Sequence, residues 1–231
     1  MNKKLPVLII RSHTAEGEFN YLWDILVNRL ATYTRRGWSV SVPNDPYFSQ
    51  VTPNHNPLDK DEAREKFVRD IYDASFFQNA IKNMEKERKR IMRIFPVFKE
   101  YSRKWGFNLF PKYEIVFTRY GVGGSYLYKK GLSQAIILTN KEGTSKRPCY
   151  AQNPIHEFVH TGINEPIVKK YGLKHNEKER IVDFICITGL KEVILEYEAT
   201  AEKMPLLDRF LTNESLEDLP AAIHEYRDCI K

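Results

Sequence analysis

The sequence predicts an α+β fold in a single unit that spans all 231 residues. Short apolar runs typical of β-strands lie in the first two thirds of the chain, whereas the last part has the residue spacing of amphipathic helices. A hydrophobic content of 42% is sufficient for one core, and no repeat divides the chain. We therefore expect an N-terminal α/β lobe over residues 1–165, with a small mixed or antiparallel sheet, and a helical lobe over residues 166–231.

The first lobe begins with alternating strand and helix patterns. Residues 6–10 predict a strand, and residues 16–33 predict a helix because their apolar side chains recur on one face. Residues 38–42 predict a second strand. The proline-rich stretch 44–58 predicts a surface loop.

Longer helical segments are expected in the middle and at the end of the chain. Residues 60–105 have helical patterning, and Pro96 should break or kink that helix because proline lacks an N–H group and clashes with the preceding turn. Residues 191–203 and 216–230 also predict helices, with prolines near their boundaries.

A β-hairpin is expected between these helical regions. Residues 113–119, 125–128 and 135–139 have strand patterns, and a Lys-Lys-Gly sequence between the last two predicts a turn. The glycines at 121–124 can be simple turn residues or can have a role in binding.

The sequence His156-Glu157-Phe158-Val159-His160 is the strongest functional signal. Residues i and i+4 of a helix share one face, so both imidazoles can bind one metal ion. Glu157 lies beside them, at the position of a base that acts on a metal-bound water. The spacing is typical of catalytic zinc sites and predicts one Zn²⁺ per chain.

Flanking residues predict a short, half-buried helix around this motif. Asn153 is a suitable N-cap, Pro154 fits the first helical position, and Gly162 is a suitable terminator. The alternative is a surface helix with solvated histidines. Carboxylates further along the chain favour the metal site.

Two of these carboxylates lie on a second predicted helix, residues 177–185. Glu179 follows His160 with 18 residues between them and can complete a two-His, one-Glu zinc site. Asp183 lies on the same helical face within an apolar run, where a carboxylate needs a partner. The outer N–H group of a zinc-bound imidazole is a suitable partner.

Other roles for these residues are also consistent with the sequence. Glu179 can form a capping box with Asn176 as the N-cap. His175 and Glu177 are alternative third ligands of the metal.

The pattern His-Glu-x-x-His, 18 residues, Glu-x-x-x-Asp resembles the gluzincins, a clan of zinc metallopeptidases that includes thermolysin and the membrane-alanyl-type aminopeptidases. The resemblance covers about 28 residues of the chain. It implies that His156, His160 and Glu179 bind zinc, that Glu157 is the general base, and that Asp183 orients a ligand. It also implies a zincin-like fold with the active-site helix between the two lobes.

The resemblance further implies a substrate-binding strand at a sheet edge, about thirty residues before the motif. Gly123, Gly124, Ser125 and Tyr126 occupy that position. The chain lacks the Asn-Ala signature of the thermolysin branch and the Gly-x-Met-Glu-Asn signature of the aminopeptidase branch. Peptide specificity is therefore not implied.

A peptidase of this kind also needs a donor for the oxyanion that develops during attack. Tyr197, His224 and Tyr226 are the candidates in the C-terminal part, and we favour His224. Spacing alone does not distinguish them from ordinary half-buried or exposed residues.

Composition agrees with a cytoplasmic enzyme. The three cysteines are odd in number and fit reduced thiols, the first apolar run is too short for a secretory signal, and no stretch reaches transmembrane length. The expected partner is a peptide or protein substrate. Nucleic-acid binding is not expected, because no recognisable motif accompanies the net charge of +6. The alternative function is a non-catalytic, zinc-stabilised binding or regulatory module, which could act at nucleic acid.

Overall fold

The computed structural model describes residues 5–145, 147 and 149–230, and a four-stranded mixed sheet lies at its centre. The strands are β1 (Val7–Ser12), β2 (Lys112–Thr118), β3 (Gly124–Lys129) and β4 (Leu132–Leu138), in the order β1-β2-β4-β3. β1, β2 and β4 are parallel, whereas β3 is antiparallel to β4. The predicted hairpin is therefore confirmed, and its first strand forms an edge of the sheet.

The sheet lies between two hydrophobic clusters. Ala135 and Ile137 of β4 belong to the larger cluster, whereas Ile136 between them packs with Phe19 and Phe67 in the smaller one. Successive strand residues point to opposite faces, so both faces of the sheet are covered. This accounts for the nearly continuous burial of β2.

Helices pack around the sheet. The α-helices are α1 (Ala15–Asp24), α2 (Leu30–Arg35), α3 (Lys60–Lys66), α4 (Gln78–Met92), α5 (Ile94–Trp105), α6 (Gln152–Ile163), α7 (His175–Phe184), α8 (Pro205–Asp208) and α9 (Leu219–Cys229). The π-helical segments are Ile25–Arg29, Phe67–Ile71, Asn164–Lys169 and Ile185–Gly189. Short 3-10 helices are Phe48–Gln50, Ala74–Phe77 and Glu214–Leu216. The mixed α and β content with a small mixed sheet is as predicted. Within the described ranges, every helix is too short or too polar to cross a membrane.

Two of the long helix predictions are confirmed with modifications. The predicted helix 16–33 is one continuous run made of α1, a π-helical segment and α2. The region 60–105 is helical with interruptions, one of them at Arg93. Because α5 begins at Ile94, Pro96 lies in its first turn, where a missing N–H group costs nothing.

The predicted strand over residues 38–42 is wrong. Among the described residues, this segment makes one isolated bridge, between Ser41 and Gly121. Gly121 has a φ of 95°, so the partner backbone turns away after a single pair. Pro43 follows the segment and cannot donate to a ladder.

The predicted helix over residues 191–203 is also wrong, because the backbone of this segment is bonded to side chains of other helices. Gln152 of α6 donates to the carbonyl group of Glu198 at 2.7 Å and accepts its N–H group at 3.1 Å. Asp183 of α7 accepts the N–H group of Thr200 at 2.8 Å. These bonds replace those that a helix would form within itself.

Candidate metal centre

Helix α6 carries the motif and is buried along most of its length. Ala151 is its N-cap in place of the predicted Asn153, and Pro154 is the third helical residue. Gly162 does not end the helix. A Cβ atom at Gly162 would lie 1.8 Å from the ring of Phe107, so this glycine permits close packing.

His156 and His160 lie one turn apart on α6, and both are buried. Their Nε2 atoms are 3.0 Å apart, and the two ring planes meet at 83°. The nitrogens therefore point to a common position from two directions.

Helix α7 brings Glu179 to the same position. Its Oε2 atom lies 3.3 Å from Nε2 of His156 and 3.1 Å from Nε2 of His160. Ligand atoms of a tetrahedral ion with bonds of about 2.0–2.1 Å are about 3.3 Å apart, which these separations match closely. The three residues can therefore hold a metal ion.

The other carboxylate oxygen of Glu179 faces two basic side chains. Nζ of Lys178 lies 3.1 Å from Oε1, and Nδ1 of His175 lies 3.4 Å from it. Lys178 also lies 3.5 Å from the hydroxyl group of Tyr126. Sequence reasoning missed Lys178, because its contacts depend on the meeting of α7 with β3.

Glu177, the alternative ligand, is bonded elsewhere. Its Oε2 atom accepts the N–H group of Lys174 and its Oε1 atom accepts the hydroxyl group of Tyr226, both at 2.6 Å. Glu177 thus caps the start of α7 by accepting the Lys174 N–H group, whereas the sequence suggested a cap formed by Asn176 and Glu179. The helix begins earlier than predicted, which leaves Glu179 facing the histidines.

Tyr197 connects His156 to Asp183. Its hydroxyl oxygen lies 2.6 Å from Nδ1 of His156 and 2.6 Å from Oδ1 of Asp183, whereas Nδ1 and Oδ1 are 3.7 Å apart. Because the hydroxyl group donates to the carboxylate, it accepts the proton of Nδ1. That tautomer leaves the Nε2 lone pair free for a metal. Asp183 therefore acts on the histidine through Tyr197, a link that spacing did not reveal.

Glu157 lies next to the start of β3. A Cβ atom at Gly124 would lie 2.5 Å from Oε1 of Glu157, so the carboxylate packs directly against the backbone of this glycine. Burial raises the pKa of Glu157 to about 7. A group that titrates near neutral pH can both accept and release a proton.

Burial also affects the metal-binding residues. It lowers the pKa of His160 to about 3, which keeps the imidazole neutral. Burial would raise the pKa of Glu179, but its polar contacts with His156, His160 and Lys178 outweigh burial and lower that pKa. A neutral imidazole and an ionised carboxylate are the forms that bind metals.

The predicted substrate segment lies on β3, at the wall of the same cleft. The ring of Tyr126 stacks on His160, with 4.9 Å between ring centroids and 18° between planes. Gly123, Gly124 and Ser125 also line the cleft. Its volume of about 1550 Å³ exceeds the roughly 300–1,000 Å³ of sites for small ligands, so it can accommodate a peptide.

The structure does not bring His224 to this cleft. Its side chain is 64% exposed on α9 and lies 3.6 Å from Asp228. Tyr226 donates to Glu177, and Tyr197 is bonded to His156 and Asp183. None of the three expected oxyanion donors therefore faces the metal-binding atoms.

No protein-family description, curated protein or solved structure was found to match this chain.

Proposed function

We propose that this chain is a zinc-dependent peptidase of the gluzincin type. The supporting observation is that the donor atoms of His156, His160 and Glu179 converge at one position, while Glu157 and the β3 edge face the same cleft. Structural zinc sites are closed by four protein ligands. The described residues offer three here, which is the number that a catalytic site uses.

Zinc is the ion of this proposal. Two imidazole nitrogens and one carboxylate oxygen are a common ligand set of catalytic zinc, whereas calcium and magnesium prefer sites made only of oxygen. When bound, zinc would polarise the scissile carbonyl group and lower the pKa of a water molecule. His156, His160 and Glu179 would hold the ion, and Tyr197 would fix the orientation of His156.

Glu157 would carry the proton during hydrolysis. In this role it accepts a proton from the attacking water and passes it to the leaving amine. Its raised pKa suits both steps. The contact with Gly124 keeps the carboxylate beside the strand that would bind the substrate.

The substrate in this proposal is an extended peptide. Among the described residues, β3 pairs with β4 alone, and the unpaired side of an edge strand can form main-chain hydrogen bonds with another segment. Gly123, Gly124, Ser125 and Tyr126 would provide that edge. The proposal includes a zincin-like arrangement with α6 between the lobes 1–165 and 166–231.

The test compares Glu157→Gln with His160→Ala. We expect Glu157→Gln to retain the fold and one zinc per chain but to lose peptide hydrolysis by at least about a hundredfold, because only the base is removed. His160→Ala should lose the metal as well. Zinc content is measured by elemental analysis after dialysis against metal-free buffer, and hydrolysis is measured with a mixed peptide library read by mass spectrometry.

Activity that survives in Glu157→Gln would refute the role of this residue as base. A wild-type protein that binds no zinc even after reconstitution would refute the metal centre and leave the cleft without this chemistry.

A further inference from the structure

The end of the first helical run forms a wall of the cleft. Arg29, Tyr33 and Arg36 are spaced by four and three residues, so they lie on one helical face, and all three line the cleft. Gly37 has a φ of 71° and turns the chain so that the Trp38 N–H group bonds to the carbonyl oxygen of Tyr33 at 3.0 Å. The fold-back brings Trp38 into the same wall.

Arg36 and Trp38 form a preorganised pair. The guanidinium group lies 5.0 Å from the centre of the Trp38 ring, and Tyr33 supports that ring from 5.6 Å. A guanidinium group held on an aromatic face loses less freedom when it binds a ligand. Trp38 is nevertheless 39% exposed, so the pair faces solvent in the cleft.

The pair lies close to the metal-binding residues and to the β3 edge. The Trp38 ring is 6.1 Å from the ring of His175, and Nδ1 of His175 is 3.4 Å from Glu179. Trp38 also shares a groove with Gly123 and Gly124. A peptide that extends along β3 past Glu157 would therefore contact this pair within a few residues of the scissile bond.

The charges of the cleft favour an anionic ligand. Six basic and three acidic side chains line it in the described part of the chain. The basic ones are Arg29, Arg36, Arg119, Arg147, Lys178 and Lys203. Two of the acidic ones, Glu157 and Glu179, belong to the proposed catalytic centre, where a divalent ion would add positive charge.

Arg36 differs from Arg29 and Arg147 of the cleft in having no ion-pair partner among the described residues. Arg29 is paired with Asp24 at 2.5 Å, and Arg147 is paired with Glu198 at 2.5 Å. The contact of Arg36 is with an aromatic ring, and no carboxylate among the described residues forms an ion pair with its guanidinium group. Its donors therefore face solvent in the cleft.

We propose that Arg36, supported by Trp38, is a subsite for a carboxylate group of the substrate, and that the substrates are acidic peptides or peptides with a free C-terminus near the scissile bond. This inference rests on the proposed function, because it assigns a substrate class to the same cleft. Two guanidinium N–H groups match the two oxygens of a carboxylate. Glutamine offers no such match, so the preference depends on charge and geometry together.

The test uses peptide binding in the zinc-reconstituted Glu157→Gln protein, measured by isothermal titration calorimetry. The probes are acetylated and amidated heptapeptides in which one position at a time holds Glu or Gln. A further probe is the Gln peptide with a free C-terminal carboxylate, which separates a side-chain carboxylate from a terminal one. We expect about tenfold tighter binding of the carboxylate peptide at one position or at the free terminus.

Two substitutions and one matched control identify the residue. Arg36→Gln should remove the preference, and Arg36→Lys should keep only part of it, because an ammonium group lacks the planar fork. Arg35→Gln is the control, because Arg35 is the adjacent exposed arginine and does not line the cleft. It should retain the full preference.

Equal affinities for Glu and Gln peptides at every position and for both C-termini, or a preference that persists in Arg36→Gln, would overturn the subsite. Absence of binding by all probes would overturn it too. Carboxylate-dependent binding in a protein whose wild type hydrolyses no peptide would refute the peptidase and retain the subsite. Peptide hydrolysis by the wild type without any preference for carboxylate peptides would support the peptidase and refute the subsite.

Discussion

The metal-binding residues and the residues that orient them come from two different kinds of structure. The metal-binding residues lie on regular helices: His156 and His160 are one turn apart on α6, and Glu179 is on the facing helix α7. Residues 190–204, in contrast, contain no regular helix or strand. Yet Tyr197 of this segment holds the outer nitrogen of His156.

Asp183 shows how closely the irregular segment is adapted to the helices. The carboxylate is fully buried, and it accepts hydrogen bonds from the Tyr197 hydroxyl, from the N–H and hydroxyl groups of Thr200, and from the Ala201 N–H. A buried carboxylate without such donors is strongly unfavourable. Helical spacing therefore sets which atoms can bind the metal, whereas long-range hydrogen bonds set how one of them is held.

The largest expected effect concerns the helix side of this comparison. Glu179→Ala removes a donor atom that lies within 3.3 Å of both imidazoles, and we expect zinc to fall from one per chain to almost none. Glu177→Ala is the matched control, because it removes a neighbouring carboxylate that caps the helix and binds Tyr226. Elemental analysis after dialysis distinguishes them. If Glu177→Ala lost the metal and Glu179→Ala kept it, Glu177 would be the third ligand and Glu179 would not.

A second buried carboxylate, Glu18 in the smaller core, lacks comparable support. Its Oε1 atom accepts the Thr118 hydroxyl at 2.9 Å and the Arg119 N–H at 2.8 Å, but its Oε2 atom has no partner among the described residues. Burial raises its pKa from 4.5 to about 7. The folded state thus binds more protons than the unfolded state between these pH values, and the free energy of unfolding falls as pH rises through them.

We expect this loss to be on the order of 3 kcal/mol between about pH 4.5 and pH 7, relative to Glu18→Gln, which has no group to titrate there. Urea unfolding of both proteins across this range measures the difference. Parallel curves for the two proteins would show that Glu18 ionises in the folded state as readily as in the unfolded chain.

The next effect concerns the irregular segment, residues 190–204, and its contact with Asp183. Tyr197→Phe or Asp183→Asn should weaken zinc affinity by roughly ten- to a hundredfold. The first substitution removes the acceptor that fixes the tautomer of His156, and the second removes the carboxylate charge that orients the Tyr197 hydroxyl group. Competition with a zinc chelator measures the affinity. Tyr226→Phe is the control, since that hydroxyl group bonds to Glu177 away from the histidines. Unchanged affinity in Tyr197→Phe would limit Tyr197 to a structural role.

The parts of the site that could be predicted are those that depend on local spacing. Residues i and i+4 on α6 must share a face, so His156 and His160 had to lie together once a helix was recognised. Strand patterns placed β1, β2 and β4 within a few residues, because short runs rich in β-branched and aromatic residues are visible in the sequence.

Other parts depend on partners distant in the chain and leave no local pattern. Residues 191–203 have helical composition, but Gln152 and Asp183 bind the backbone of the segment instead. The role of Tyr197 followed from that exchange and could not be predicted without it. Pairing of Trp38 with Arg36 likewise depends on the chain folding back after the turn at Gly37, where the sequence predicted a strand over residues 38–42.

The smallest expected effect tests whether the irregular segment is held as a unit. Gln152 is 1% exposed and makes both of its hydrogen bonds to the backbone of Glu198. Gln152→Ala removes both hydrogen bonds, which costs about 1–3 kcal/mol at about 0.5–1.5 kcal/mol for each bond. We expect faster amide hydrogen exchange across residues 190–204.

Zinc affinity should fall less than tenfold in this variant, because Tyr197 and Asp183 keep their own hydrogen bonds. Asn153→Ala is the control, since Asn153 adjoins Gln152 on α6 and the structure shows no bond from its side chain to the segment. Faster exchange together with a loss of affinity as large as that of Tyr197→Phe would mean that the whole segment positions His156. Unchanged amide exchange in Gln152→Ala would mean that the hydrogen bonds to Asp183 alone hold residues 190–204 in place. A single carboxylate of α7 would then account for the support that this irregular segment gives to His156.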